Sequence, residues 1–281
     1  MPLPEDFRFT QSVLADYTDC ARRFELRYIQ RLRWPAPVAE PVREYEAHMQ
    51  RGADFHRMVH QHHLGIPAAA IAAQAGDTDL RLWWAAYLNS EFVYNGPLAG
   101  DRYPETLVAA QIDGRRLAAK FDLVIDGGDV VTIIDWKTSN RRTPDHVLAR
   151  RWQTLLYRYV LVEAGRALLG RSVAPQQVTM VYWFAADPGN PARFDYDAAQ
   201  HADTADALRA VLAEIDARAT FELTDDVRRC AYCIYRSLCD RGSAAGGLDD
   251  FDAISEDADT DDLPPDFDLD IDLDQVAEVE F

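Results

Sequence analysis

The most constraining stretch of this chain runs from Arg115 to Lys137. Two apolar, β-branched segments, 115–125 (RRLAAKFDLVI) and 129–137 (DVVTIIDWK), flank Asp126-Gly127-Gly128. A glycine-rich turn between two such runs predicts a β-hairpin. Side chains alternate on a strand, so Asp135 and Lys137 share a face and Trp136 takes the other. A turn centred between Gly127 and Gly128 sets Asp122 opposite Ile133 and Asp135 opposite Lys120. Asp122 then lies diagonally across from Asp135 on the same face, and a one-residue slip would part them. Two converging carboxylates suit a hard divalent cation such as Mg²⁺, which keeps its waters for a phosphate group. A lysine beside that ion can orient or deprotonate a water, or steady a pentavalent phosphate, as phosphodiester hydrolysis requires. The competing reading is two solvent-facing aspartates on an edge strand beside a salt-bridged lysine.

Helical spacing predicts helices over 10–33, 44–64, 79–93, 145–168 and 197–219, with further strands over 105–112 and 178–185. The proline-rich stretch 34–43 reads as a loop. The expected order is helices, an antiparallel meander, a helix, a strand and a helix.

Four short patterns fall on these elements in sequence. They are Gly52-Ala53-Asp54-Phe55-His56 on an early helix, Ala119-Lys120-Phe121-Asp122 and Asp135-Trp136-Lys137 on the hairpin, and Gln153-Thr154-Leu155-Leu156-Tyr157 on the next helix. Together they resemble the G-x-x-x-H, G-x-I-D, D-x-K and Q-x-x-x-Y series of the RecB/AddB-like branch of the PD-(D/E)xK nucleases, over roughly residues 50–160. Ala119 departs from the family's usual glycine, a small-for-small change. The resemblance implies a restriction-endonuclease-like α/β core, a mixed central sheet flanked by helices. It also implies Mg²⁺ or Mn²⁺ held by His56, Asp122, Asp135 and the main-chain carbonyl of Trp136, with Lys137 as the catalytic lysine. Gln153 and Tyr157, one turn apart on a helix, would line the site or contact a DNA strand. Glu105 on the preceding strand is a further candidate. His56, His60, His62 and His63 crowd one helix. Their H-x-x-x-H spacing suggests zinc, but Arg57 stands where a zincin carries its glutamate, and histidines on an amphipathic helix can be structural.

The four cysteines are Cys20, Cys230, Cys233 and Cys239. With no secretory signal in MPLPEDFRFT, a disulfide framework is the weaker reading, and four thiolates around one metal centre the stronger. Thiolates suit both iron–sulfur clusters and zinc. One cysteine near the N-terminus and three near the C-terminus is similar to the iron staple of AddB-type and CRISPR-adaptation nucleases, which implies a structural [4Fe–4S] cluster. Cys20-Ala21-Arg22-Arg23-Phe24 resembles the C-P-x-x-F context of that staple, with Ala21 in place of proline.

The net charge of −18 belongs mostly to one end. Residues 242–281 carry 15 acidic groups and no lysine or arginine, leaving 32 acidic against 29 basic residues in the rest. The expected organisation is a nuclease domain over 1–242, closed by the cysteine cluster, and an acidic segment over 243–281 too charged to pack alone. That segment could solubilise the chain, mimic DNA or dock a partner protein. Arginines at 22, 23, 27, 31 and 33, at 141 and 142, at 150 and 151, and at 228, 229, 236 and 241 suit phosphate contacts or a solvated face. Trp34, Trp152 and Tyr235 are candidates for base stacking or for core packing. No apolar run approaches the ~20 residues that span a bilayer, so a cytoplasmic protein is expected. No P-loop is present, so the chain is not itself a helicase, and a helicase or integrase is an expected partner. The expected activity is exonucleolytic cleavage of single-stranded or unwound DNA in repair or recombination. The alternatives are a CRISPR-adaptation nuclease trimming spacer precursors, and a nonenzymatic iron–sulfur DNA-binding or scaffold subunit.

Overall fold

The computed structural model describes residues 3, 4, 6–33, 40–94, 96, 98–139, 141–231 and 233–242, with the backbone alone for 40–46. Trp34, most of the proline-rich stretch and the acidic segment 243–281 lie outside these residues.

β1 (Arg8–Phe9) leads into α1 (Gln11–Asp19), where the Thr10 hydroxyl accepts from the Val13 N–H and caps the helix. The single helix expected over 10–33 is interrupted at Cys20, which is extended at φ −160°, ψ 105°. α2 (Ala21–Phe24) and a π-turn over Glu25–Ile29 follow. The break leaves Tyr17 and Phe24 in the same core, so apolar spacing reads straight through it. α3 (Glu40–His63) starts earlier than expected, with Pro41 in its first turn, where a missing N–H costs no helical bond. The short α4 (Ala68–Ala72) is unforeseen. α5 (Thr78–Leu88) is capped by Asp77, whose carboxylate accepts from the Leu80 N–H at 2.8 Å.

β2 (Asp101–Ile112) and β3 (Arg115–Asp126) pair antiparallel, and β4 (Val131–Lys137) pairs with the second half of β3. β2 extends further back than expected and includes Pro104, which an edge strand tolerates. The hairpin closes later than expected. The Gly127 N–H donates to the Val130 carbonyl at 2.9 Å, and Gly128 takes φ +85° while its N–H donates to Asp126 Oδ1. Leu123 therefore faces Ile134, and Val124 faces Ile133. The shift in pairing is two residues, not one, so the paired half of the hairpin, 123–126 with 131–134, keeps the faces expected of it.

α6 (Asp145–Leu148) and α7 (Trp152–Leu169) replace the one helix expected over 145–168, separated at Arg151 by an extended ψ of 143°. α7 carries the chain across the sheet, so β5 (Val178–Phe184) pairs parallel to β4. The short edge strand β6 (Ala192–Asp195) was not expected. α8 (Ala198–Ala217) starts in a capping box between Asp197 and Gln200. The described strands form one mixed sheet in the order β1-β3-β4-β5-β6, with β2 on the other edge of β3. Residues of α1, α7 and α8 bury one face, and residues of α3 and α5 bury the other. This is the expected α/β architecture, a mixed sheet flanked by helices. Among the described residues no helix is long and apolar enough to cross a membrane.

One irregularity positions everything that follows. Leu117, Ala119 and Phe121 of β3 lie in the first core layer, whereas Leu123 and Ile125 lie in the second. Residues two apart on a regular strand stay on one face, so β3 turns over at Asp122. The partner strand breaks at the same level. Pro104 pairs with Leu123 and Thr106 with Phe121, while the intervening Glu105 takes φ +47°. That left-handed conformation is uncommon outside glycine.

Candidate active site

Asp122 and Glu105 thus meet where two paired strands turn over, at the edge of both core layers. α3 brings His56 to them. Gly52, one turn earlier, makes this approach possible, because a Cβ there would stand 2.8 Å from Thr138 Oγ1, just past the end of β4. His56 Nδ1 lies 3.3 Å from Asp122 Oδ1, and His56 Nε2 lies 3.0 Å from the Trp136 carbonyl oxygen. Both ring nitrogens face acceptors, as an imidazolium requires. Burial disfavours that charge, but Asp122, with Glu105 and Asp135 behind it, raises His56 to about 9. Burial likewise opposes ionisation of Asp122, yet His56, the Trp136 N–H and Lys137 hold it below the usual carboxylate range. The Trp136 N–H donates to Asp122 Oδ2 at 2.9 Å, on the level where the β3–β4 ladder has already ended at Leu123 and Ile134.

His56, Glu105 and Asp122 each offer a ligand atom within 4.8 Å of the others. An imidazole and two carboxylates, with the Trp136 carbonyl alongside, form a donor set that fits a divalent cation of the Mg²⁺ or Mn²⁺ type. The excess of negative charge that raises His56 is the field such a cation would neutralise.

Asp135 stands beside this group, on the α7 side of the sheet. Its Oδ1 accepts from Gln153 Nε2 at 2.7 Å, and its Oδ2 is 3.2 Å from Lys137 Nζ. The Asp135 and Lys137 side chains are only 5% and 4% exposed, so the pair is buried. Gln153 Oε1 is buried without a hydrogen-bond partner among the described residues. Tyr157, the other half of the helical pair, packs in the first core layer edge-on to Phe121, with ring centroids 5.2 Å apart. The structure thus gathers His56, Asp122, Asp135, Trp136, Lys137 and Gln153 at the end of β4 and keeps Tyr157 below them. Glu105, a secondary candidate in the sequence, is a full member of the tight ligand group. Lys120, which the motif reading left without a role, pairs with Glu105 at 2.8 Å. Its signal lay in strand alternation, two residues before Asp122.

His62 and His63 are engaged elsewhere. His62 Nδ1 and His63 Nε2 both hydrogen-bond the Tyr87 hydroxyl, which also accepts from the Tyr94 N–H. Burial, with Arg102 nearby, pushes His63 down to about 3, and it is neutral there.

Cys20 lies within electrostatic reach of Cys230, Cys233 and Cys239, although about 200 residues separate it from them. Burial first, then the nearby thiols, push Cys230 and Cys239 above their usual range. Burial also raises Cys233, against the pull of Arg23. Arg22, Arg23, Arg236 and Arg241 act on these sulfurs in the opposite sense, favouring thiolate. The junction is tied by Arg229 to Asp19 at 3.3 Å, by the Tyr235 hydroxyl donating to the Leu32 carbonyl at 2.8 Å, and by Phe24 stacked on Phe221. On the N-terminal side Asp16 is buried among Arg23, Arg27 and Tyr28.

The family model of the PD-(D/E)XK nuclease superfamily matches residues 8–240. The chain belongs to that superfamily, and its reaction class is that of a nuclease. No curated protein matches the sequence. Among solved structures it is similar to SSO0001, at 14% identity and a TM-score of 0.39 over 85% of this chain and 88% of that one. It is also similar to a protein titled "Putative exonuclease" from Eubacterium rectale, at 10% identity and a TM-score of 0.47 over 78% of this chain and 85% of that one.

Proposed function

We propose that this chain is a Mg²⁺- or Mn²⁺-dependent deoxyribonuclease of the RecB/AddB-like branch. It digests single-stranded or unwound DNA from its ends, in repair or recombination, beside a helicase that opens the duplex. The observation that carries this reading is the His56–Glu105–Asp122 group next to the buried Lys137–Asp135–Gln153 chain. His56, Glu105 and Asp122, with the Trp136 carbonyl, would hold the cation, and Asp135 borders it. A bound cation supplies Lewis-acid polarisation of the phosphate and an acidified water. His56 would bind the cation as the neutral imidazole. Lys137, kept from solvent and turned by Asp135, presents an N–H to the attacking water or to a phosphate oxygen. Gln153 holds Asp135 in that orientation.

For the four cysteines the proposed group is a structural [4Fe–4S] cluster that closes a nuclease domain over residues 1–242, leaving 243–281 as an appended acidic segment. The convergence of four thiols and the arginines around them support it, since a thiolate-ligated cluster carries net negative charge. Iron content and absorbance near ~400 nm of anaerobically purified protein test it. Zinc without iron would replace the cluster by a single-metal site.

The activity is tested with end-labelled linear and circular single-stranded DNA in Mn²⁺. Wild type is expected to shorten the linear strand and spare the circle. Asp122→Ala and Lys137→Ala are expected to lose on the order of 10²–10³ in rate or more, the scale for removing one transition-state contact. Equal cleavage by wild type and both variants would remove the assigned site, and cutting of the circle would make the enzyme an endonuclease.

A further inference from the structure

Beside the ligand group a second lysine reaches solvent where Lys137 does not. The Lys137 side chain is 4% exposed, tied to Asp135 and seated over the Tyr182 ring at 5.5 Å. Lys120 is 41% exposed, with Nζ 2.8 Å from Glu105 Oε2. Between Lys120 and Asp122 on β3 stands Phe121, which turns into the first core layer against Tyr157. Lys120 therefore occupies the opposite side of β3, away from α7 and its core layer. Glu105 has two claimants: the Lys120 ammonium on one side, and the ligand group with His56 and Asp122 on the other.

We infer that Lys120 is the phosphate grip of this site, holding the DNA backbone next to the bond that is cut. Without a cation, Glu105 draws the ammonium inward and neutralises it. A cation that engages the Glu105 carboxylate weakens that pair, and the ammonium becomes available to a backbone phosphate. An ammonium on a flexible stem suits this hand-over, since it makes no demand for planar, two-point geometry. Cation and strand thus compete against the same ion pair, and each makes binding of the other easier. The inference rests on the nuclease reading above and adds how the substrate is held.

The test is binding of a fluorescent single-stranded oligonucleotide, read by anisotropy in saturating Ca²⁺ with the strand verified intact, over a series of KCl concentrations. Lys120→Gln is expected to weaken binding about three- to tenfold at ~0.1 M salt and to lower the slope of log K against log[salt] by about 0.7, the value for one phosphate contact on a single strand. Lys120→Arg is expected to restore most of the slope. Mn²⁺ binding without DNA, read by electron paramagnetic resonance, should be unchanged or tighter in Lys120→Gln. An unchanged salt slope overturns the inference, whether or not Mn²⁺ affinity falls, and leaves Lys120 as a group that only orients Glu105. Failure of the wild type itself to bind or cut DNA would instead remove the nuclease reading.

Discussion

Glu105 is where local backbone preference and chemistry are in conflict. A glutamate at φ +47° inside a strand is strained by on the order of 1–3 kcal/mol, and such outliers persist where surrounding structure enforces them. Here the conformation delivers a carboxylate to His56 and Asp122. Glu105→Asn separates the two effects, because asparagine accepts the left-handed region and carries no charge. Its urea midpoint is expected to match or exceed that of wild type, by no more than about 1 kcal/mol in stability. Its Mn²⁺ affinity, measured by calorimetry, is expected to fall at least tenfold, as loss of a charged ligand at about 1.4 kcal/mol per decade implies. Unchanged affinity would take Glu105 out of the ligand group. The pairing of Asp135 with Lys137 was legible in the sequence because strand alternation fixes their spacing, whereas the turnover at Asp122 that sets that acid beside His56 was not. Glu105 was legible only as an acid on a neighbouring strand, since no pattern of residue types announces a positive φ.

Among the elements, α3 and the β3–β4 hairpin decide whether the ligands meet. Gly52→Ala places a methyl group 2.8 Å from Thr138 Oγ1. The substitution improves intrinsic helix propensity by about 1 kcal/mol, but either the Thr138 side chain or α3 has to give way to it, and a shift of α3 carries His56 along. The expected outcome is a protein of near wild-type thermal stability with weakened Mn²⁺ binding. Unchanged binding would show that α3 can retain its position by moving Thr138 alone. The hairpin was foreseen as an element and in the faces of its paired half beyond Asp122, although the turn holds one more pair of residues than expected. A period of two forgives an error of two. The breaks at Cys20 and at Arg151 were invisible for a related reason: apolar residues before and after each break bury in the same layer, so helical spacing survives the interruption. The turnover of β3 at Asp122 was hidden because both faces of that strand are buried, which removes the polar alternation that would have marked the change.

For the molecule as a whole, the notable contact is between its two ends. The first helices and the segment around Cys230 are joined by Arg229–Asp19, Tyr235–Leu32 and Phe24–Phe221, and four free thiols lie there, Cys20 within electrostatic reach of the other three. The cluster proposed for those thiols would close a loop of this length and restrict the unfolded chain by about 5 kcal/mol, as a covalent crosslink does. Cys239→Ser in the full chain is therefore expected to lower the melting temperature by several degrees or more. It should also speed amide exchange together in residues 11–29 and 221–241, with the hairpin slower to respond. Exchange that rises in only one of the two segments would mean that the ends are stabilised independently.

β2 offers a last consequence. Among the described strands it lies at an edge, hydrogen-bonded to β3 on one side, and such an edge is a template on which foreign strands can add. Pro104 has no backbone donor to offer, and the adjacent left-handed Glu105 interrupts the regular pairing of the strand. The distortion that brings an acid to the ligand group therefore also spoils the strand as a seed for intermolecular sheet growth, and a variant that straightened it would be exposed to self-association as well as inactive.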